Sequence, residues 1–248
     1  MNNMQKLISA EYQKLTRTFT KKLIWFAPIV TLFLSGILGA GTTFQSGGYN
    51  WWYVMLLPGM LTLICAGVVQ NDQKKLKYRG ILSLPINPGK IWVGKIGVCT
   101  LLYLISCIVF FICVTLGGFA RGTSIPLIQS AAASVLLFIT FLWQIPWCMF
   151  LTERLGMFAT VIINVVGSEA FCVIAAKLSI GWMWWIPYAI PAHIMCPVIK
   201  VLPNGLPVPA NDPLLSTSII LPGVVINLIL FFVLLMLTAL PYRNLEAK

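Results

Sequence analysis

A single long stretch without charge sets the strongest limit on what this chain can fold into. Residues 23–71 include no Asp, Glu, Lys, Arg or His. About 20 apolar residues cross the hydrocarbon core of a bilayer as a helix, so this stretch is long enough for two membrane spans and a turn. Glycine and polar residues at 41–50 predict the turn. The two spans are then expected at about 23–40 and 51–70.

The composition of the whole chain leads to the same class of protein. Of its 248 residues, 59% are hydrophobic and only 9% are charged, whereas a soluble domain carries about a quarter charged residues. The other uncharged runs predict spans at about 91–117, 126–151, 155–176 and 218–240. The sequence therefore predicts an all-α integral membrane protein, with six transmembrane helices in one domain over residues 1–248.

The basic residues predict how the chain is oriented. With the N-terminus inside, only Arg121, Lys177 and Lys200 of the 17 lysines and arginines fall outside. Loops rich in Lys and Arg stay on the cytoplasmic side, so both termini are expected to be cytoplasmic. The basic residues are clustered beside apolar spans. We therefore interpret the net charge of +11 as a sign that these clusters contact anionic lipid headgroups. Nucleic acid is not an expected partner.

Two segments are expected at the cytoplasmic face. Residues 4–20 place Leu7, Ile8, Tyr12, Leu15 and Phe19 on one face of a helix, and a basic amphipathic helix before a span lies flat at the headgroups. Residues 71–90 are first basic and then apolar, which favours docking onto another protein. The docking residues are expected to be Lys74, Lys75, Arg79, Ile81, Leu82, Leu84 and Pro85.

Aromatic residues are concentrated at the predicted outer face. Prolines 187, 191 and 197 in the uncharged stretch 178–199 disfavour a seventh span, so 181–217 is interpreted as an outer segment that dips partly into the membrane. Tryptophan and tyrosine side chains at an outer face are typical of an interfacial belt. The alternative interpretation is that they contact the substrate. The substrate-facing candidates are Trp51, Trp52, Tyr53, Trp182, Trp184 and Trp185, together with the intramembrane carboxylate Glu169.

The sequence motifs that would indicate catalysis or nucleotide binding are incomplete. Residues 89–96 fit the phosphate-loop pattern as far as Gly94 and Lys95, but Ile96 replaces the hydroxyl that holds Mg²⁺, and Trp92 is too bulky for the loop. The seven cysteines show no metal-ligand spacing, and His193 is the single histidine. The chain is therefore expected to be neither an enzyme nor a cofactor-binding protein, and to obtain any energy from a separate subunit.

Several short motifs resemble a known family. They are Asn50-Trp51-Trp52-Tyr53, Leu56-Leu57-Pro58-Gly59, the basic stretch 72–79 and Ser83-Leu84-Pro85-Ile86. Together with the N-terminal pattern at 7–14, they resemble lantibiotic immunity permeases of the MutE/EpiE type, within the ABC-2 exporter class. The resemblance implies two copies of a cytoplasmic ATPase that dock on 71–90, and a second homologous permease. It also implies a cationic peptide substrate at the plasma membrane of a Gram-positive bacterium.

Two alternatives remain open at this point. The chain could be an ABC-2 permease for another hydrophobic drug or a lipid-linked cargo. It could also be a membrane sensor or scaffold that transports nothing and holds a partner at its basic face.

Overall fold

The computed structural model describes residues 3–16, 18–38, 43–71, 88–178 and 181–243. The chain starts with α1 (Asn3–Lys14), α2 (Phe19–Leu38), α3 (Phe44–Trp51), a π-helical turn (Trp52–Leu56) and α4 (Leu57–Gln70). It continues with α5 (Pro88–Arg121), α6 (Leu127–Phe141), α7 (Gln144–Leu155) and α8 (Met157–Leu178). A 3₁₀ turn (Gly181–Trp185), α9 (Ile190–Ile199), 3₁₀ turns Pro213–Leu215 and Thr217–Ile219, and α10 (Ile220–Arg243) complete the described part.

These helices form a membrane bundle. Within the described ranges, five helical stretches are long and apolar enough to cross a bilayer, and the bent pair α6–α7 brings the number to six. The prediction of an all-α membrane fold is confirmed. The structure breaks the expected fourth span, 126–151, into two helices that meet at 41°. We call the end of the bundle that carries α1 the α1 end, and the other end the opposite end.

The second span begins earlier than the sequence predicted. The expected turn at 41–50 is largely helix, because α3 begins at Phe44. A Cβ atom added at Gly47 would lie 3.3 Å from Ser35 Oγ, and one at Gly48 would lie 3.4 Å from Val114 Cγ2. These glycines therefore allow close helix packing rather than forming a turn, and the predicted start at residue 51 was wrong.

A π-helical turn joins α3 to α4. Pro58 has no backbone N–H, so it cannot donate the usual hydrogen bond to the carbonyl four residues before it. Just ahead of it, the Leu57 N–H donates to the carbonyl of Trp52, five residues back. The wider turn thus keeps the second span continuous through its proline.

The N-terminal helix packs across the start of α5. A Cβ atom added at Gly94 would lie 3.4 Å from Leu7 Cβ, and one at Gly97 would lie 2.9 Å from Ile8 Cδ1. The apolar face expected for 4–20 thus lies against glycines of the third span. The predicted single helix ends at Lys14, however, and Phe19 already belongs to α2.

The segment after α8 contains a short helix. Its prolines were expected to disfavour a seventh span, and α9 has only 10 residues, which are almost all buried. Pro191 lies in the first turn of α9, where no backbone donor is needed, and Pro197 lies close to its end. Because α9 packs on α6 and on α10, neighbouring helices offset the lost hydrogen bonds.

Candidate functional site

An apolar groove in the described part offers an opening for a ligand from the membrane. It lies between α2, the α3–α4 span and α8, and has a volume of about 400 Å³. Its rim includes the exposed side chains of Phe26, Met55 and Val166, so it opens sideways on the bundle. The groove can hold apolar groups but offers almost no polar contact. Its lining residues are Leu23, Phe26, Ala27, Val30, Met55, Leu56, Gly59, Met60, Leu63, Val161, Ile162, Val165 and Val166.

None of the seven predicted substrate-facing residues lines this groove. Trp52 and Tyr53 are only 1% exposed, and Trp52 stacks on Phe110 with ring centroids 4.5 Å apart. Burial of these two rings removes them from any surface that a peptide first meets, so their predicted role does not fit the structure. Trp51 is half-buried.

The tryptophans after α8 divide into two groups. Trp182 and Trp185 are exposed, whereas Trp184 is 4% exposed and lies against His193, with ring centroids 4.9 Å apart. Trp184 therefore belongs to the core and not to a substrate surface, contrary to the sequence prediction. Burial lowers the pKa of His193 to about 4, and a hydrogen bond to the Trp184 backbone opposes this shift.

An amide of the second span binds the segment that follows α9. Asn50 Nδ2 donates to the carbonyl oxygens of Pro203 (2.8 Å) and Leu202 (3.2 Å). The segment folds back on itself between Val201 and Pro207, and Gly205 adopts a φ of +82°, which glycine tolerates without strain. The expected outer segment is therefore an ordered cap over the opposite end of the bundle.

Glu169 is half-buried on α8, near the opposite end. Lys177 follows two turns later in the sequence, which predicts an ion pair with Glu169. The Lys177 side chain lies outside the described part, so the pairing stays a prediction. Glu169 and the exposed Trp182 and Trp185 remain the accessible members of the predicted set, together with Trp51.

The near match to a phosphate loop is helical. Residues 89–96 form the first turns of α5, where Trp92 is buried and donates from Nε1 to Thr238 Oγ1 at 3.0 Å. A helix directs its backbone N–H groups along its own axis, so this stretch cannot wrap a phosphate.

The predicted docking residues, Lys74, Lys75, Arg79, Ile81, Leu82, Leu84 and Pro85, lie outside the described residues. Both ends of their segment are described. Gly67, near the end of α4, contacts Thr20 at the start of α2, and α5 begins where α1 packs. Residues 71 and 88, on either side of the segment, therefore both lie at the α1 end.

The sequence analysis missed a polar cluster inside the bundle. Asn164 on α8, Gln144 on α7 and Thr62 on α4 are fully buried and hydrogen-bonded together. Their spacing was a usable signal, because polar residues recur every fourth position along α7 and along α8. The groove left no such signal, since its lining consists of ordinary apolar residues.

Comparison with known proteins identifies the family but not a close relative. Searches among curated proteins and among solved structures found no match. Residues 7–170, about two thirds of the chain, match a family model described as ABC-2 family transporter protein. That match covers α1 and the first four spans and reaches into α8. The chain therefore belongs to the ABC-2 family of transporter proteins, as a multi-pass permease subunit that works with a partner ATPase.

Proposed function

We propose that this permease subunit exports or releases a lantibiotic or a similar cationic antimicrobial peptide from the membrane, and so protects the cell that makes it. The apolar groove carries the proposal. A peptide that partitions into a bilayer reaches the bundle from the side, and the groove opens to that side. Burial of an apolar face there is favoured by packing against the helices.

The proposal that the peptide is cationic is supported by the family resemblance and by side chains at the opposite end of the bundle. Glu169, half-buried on α8, supplies a carboxylate at the end of the bundle that also carries the exposed rings of Trp182 and Trp185. Lysine and arginine side chains bind to carboxylates and to the faces of tryptophan rings. We expect Glu169→Gln to lower resistance to the peptide, and unchanged resistance would remove this carboxylate from the proposal.

The energy comes from a cytoplasmic ATPase, in two copies, which docks on the α1 end. A second homologous permease completes the complex in the plasma membrane of a Gram-positive bacterium, with both termini in the cytoplasm. Support for this orientation comes from the basic residues of 71–90 and of α1, because positive loops stay inside. ATP binding pushes on the docked segment, and α4 and α5 carry the motion across the bilayer.

Filling the groove tests the cargo site. Leu63→Trp places a large ring within it, whereas Ile229→Trp adds the same ring to an exposed position on α10. We expect Leu63→Trp to reduce resistance to the level of cells without the permease, with the complex still assembled, and Ile229→Trp to change little. Growth against the peptide and co-purification of the ATPase are the measurements.

Two results would count against this proposal. Full peptide resistance in Leu63→Trp would exclude the groove as the cargo site. Loss of resistance to a lipid-linked or small hydrophobic antibiotic, with peptide resistance unaffected, would instead support another hydrophobic cargo.

The docking segment has its own test. Replacing Ile81, Leu82 and Leu84 together by alanine removes the apolar contact expected with the ATPase, so export should stop while membrane insertion persists. Leu206→Ala, at an exposed position of the opposite end, is the control. If the triple variant keeps both ATPase binding and resistance, the docking assignment is wrong.

A further inference from the structure

One amide joins three helices in the middle of the bundle. Asn164 Nδ2, on α8, lies 2.9 Å from Thr62 Oγ1 on α4 and 2.9 Å from Gln144 Oε1 on α7. It also lies 3.2 Å from the carbonyl oxygen of Pro58. An amide NH₂ group has two hydrogens and here faces three acceptors, so these hydrogen bonds compete with one another.

This cluster is part of a longer polar seam between α7 and α8. The two helices meet at Gly156. Counting outward from Gly156, every fourth residue on each helix has a polar or thiol side chain, which gives three such side chains per helix. The pairs at equal distance from Gly156 are Thr152 with Thr160, Cys148 with Asn164, and Gln144 with Ser168. All six side chains are buried, so the seam runs along the helices without contact with lipid.

The closed seam leaves polar atoms unpaired. Within the described residues, Gln144 Nε2, Thr152 Oγ1, Asn164 Oδ1 and Ser168 Oγ are sealed from solvent and have no hydrogen-bond partner. Each such atom loses its hydration without compensation. A conformation in which α7 and α8 separate and water enters would satisfy all four. The unpaired polar atoms therefore destabilise the closed arrangement, and the hydrogen bonds of Asn164 stabilise it.

The helix on one side of the seam has a break at each end. α7 meets α6 at an angle of 41°, and Pro146 removes one backbone donor from its first turn. At its other end Gly156 adopts a φ of +85°. Helix breaks of this kind absorb the backbone changes of hinge motions. α7 is therefore a short rigid segment between two flexible points, and its Arg154 end lies at the α1 end.

We propose that Thr62, Gln144 and Asn164 form a latch between spans two, four and five, and that the latch opens when the ATPase closes on ATP, with α7 as the moving element. The proposal depends on the chain being an ABC-2 permease but not on which cargo it carries.

A native cysteine makes the latch testable. Thr62 Oγ1 lies 3.5 Å from Cys148 Sγ, so Thr62→Cys brings two sulfur atoms close enough for a disulfide after a small rotation. The variant is purified with its ATPase, reconstituted in liposomes and oxidised without nucleotide or after trapping with ATP and vanadate. Peptide mass spectrometry follows formation of the disulfide between the introduced thiol and Cys148, and ATP turnover is measured before and after reduction.

We expect the link to form at least about fivefold more slowly in the trapped state, the lower end of usual coupling between sites. The linked protein should lose most of its ATP turnover and recover it on reduction with dithiothreitol. Thr62→Cys combined with Cys148→Ser should show no effect of oxidation. Equal linking rates in both states, or full turnover by the linked protein, would overturn the proposal.

The unmodified protein offers a second readout that does not depend on the variant folding. Cys148 is fully buried in the closed seam, and Cys196 is equally buried in α9. Trapping with ATP and vanadate should increase alkylation of Cys148 by N-ethylmaleimide and leave Cys196 unchanged. No increase at Cys148 would also count against the latch. Since neither readout uses a peptide, an incorrect cargo assignment leaves both results intact.

Discussion

The second and the last spans are both strongly apolar, yet they occupy opposite environments. In the most apolar window of the second span (Phe44–Gln70), 67% of the residues are buried, against 11% for the last (Thr217–Pro241). The second span is surrounded by α2, α5, α7 and α8, whereas the last presents one long apolar face outward from the bundle. Lipid tails are as apolar as leucine, so hydropathy cannot distinguish these two positions. The difference lies in packing and in the polar contacts of each span.

The sharpest test of this contrast uses one residue type in both spans. Leu61 is 0% exposed and Leu237 is 56% exposed. Because a cavity forms only where neighbours enclose the side chain, Leu61→Ala should cost about 2–5 kcal/mol of stability. Leu237→Ala should stay within about 0.5 kcal/mol. Thermal or denaturant unfolding in matched detergent measures both, and equal effects would show that the second span is not the core.

The next test removes the amide that ties the cap to the second span. Asn50→Ala leaves the carbonyls of Leu202 and Pro203 without this donor, and we expect a loss of about 1–3 kcal/mol. Hydrogen exchange at 201–208 should become faster, while exchange in α5 stays unchanged. Asn211→Ala, at an exposed position, serves as the control. Unchanged exchange at 201–208 would mean that Asn50 does not hold the cap.

A side-chain hydrogen bond joins the last span to the core. Thr238 Oγ1 accepts a hydrogen bond from Trp92 Nε1. Thr238→Val keeps the shape of the side chain and removes the acceptor, so stability should fall by about 1 kcal/mol. Thr217→Val, at an exposed position before α10, should have no measurable effect on unfolding. If both variants behave alike, α10 is held by packing alone.

A pH-dependent effect is expected from acid acting on His193 in α9. His193 is neutral in the folded protein because burial lowers its pKa to about 4, whereas an unfolded histidine titrates near about 6.5. The unfolded state therefore binds more protons between these values, and stability is complete above about pH 6.5 and falls as the pH drops towards about 4. Melting temperature measured against pH should show this slope in the wild type and lack it in His193→Gln.

The sequence was sufficient for the membrane class and for the number of spans, because uncharged runs of that length fit few other solutions. It was insufficient for the second span, where Gly47 and Gly48 were interpreted as a turn although they allow close packing against α2. It did not predict the burial of α9, since the prolines of this helix are supported by neighbouring helices that no local pattern reveals. Trp52 and Trp184 looked like interfacial aromatics, and only the packing of the bundle shows that both are buried.

A groove that opens to the bilayer is occupied by acyl chains before any cargo arrives. For the peptide cargo proposed above, entry is therefore an exchange reaction, in which lipid leaves the space between α2, α4 and α8. Its apparent affinity depends on chain length and saturation of the surrounding lipid as well as on the peptide. Binding measured in a detergent with long alkyl tails should be weaker than in one with short tails, because the longer tail competes better for the same apolar surface.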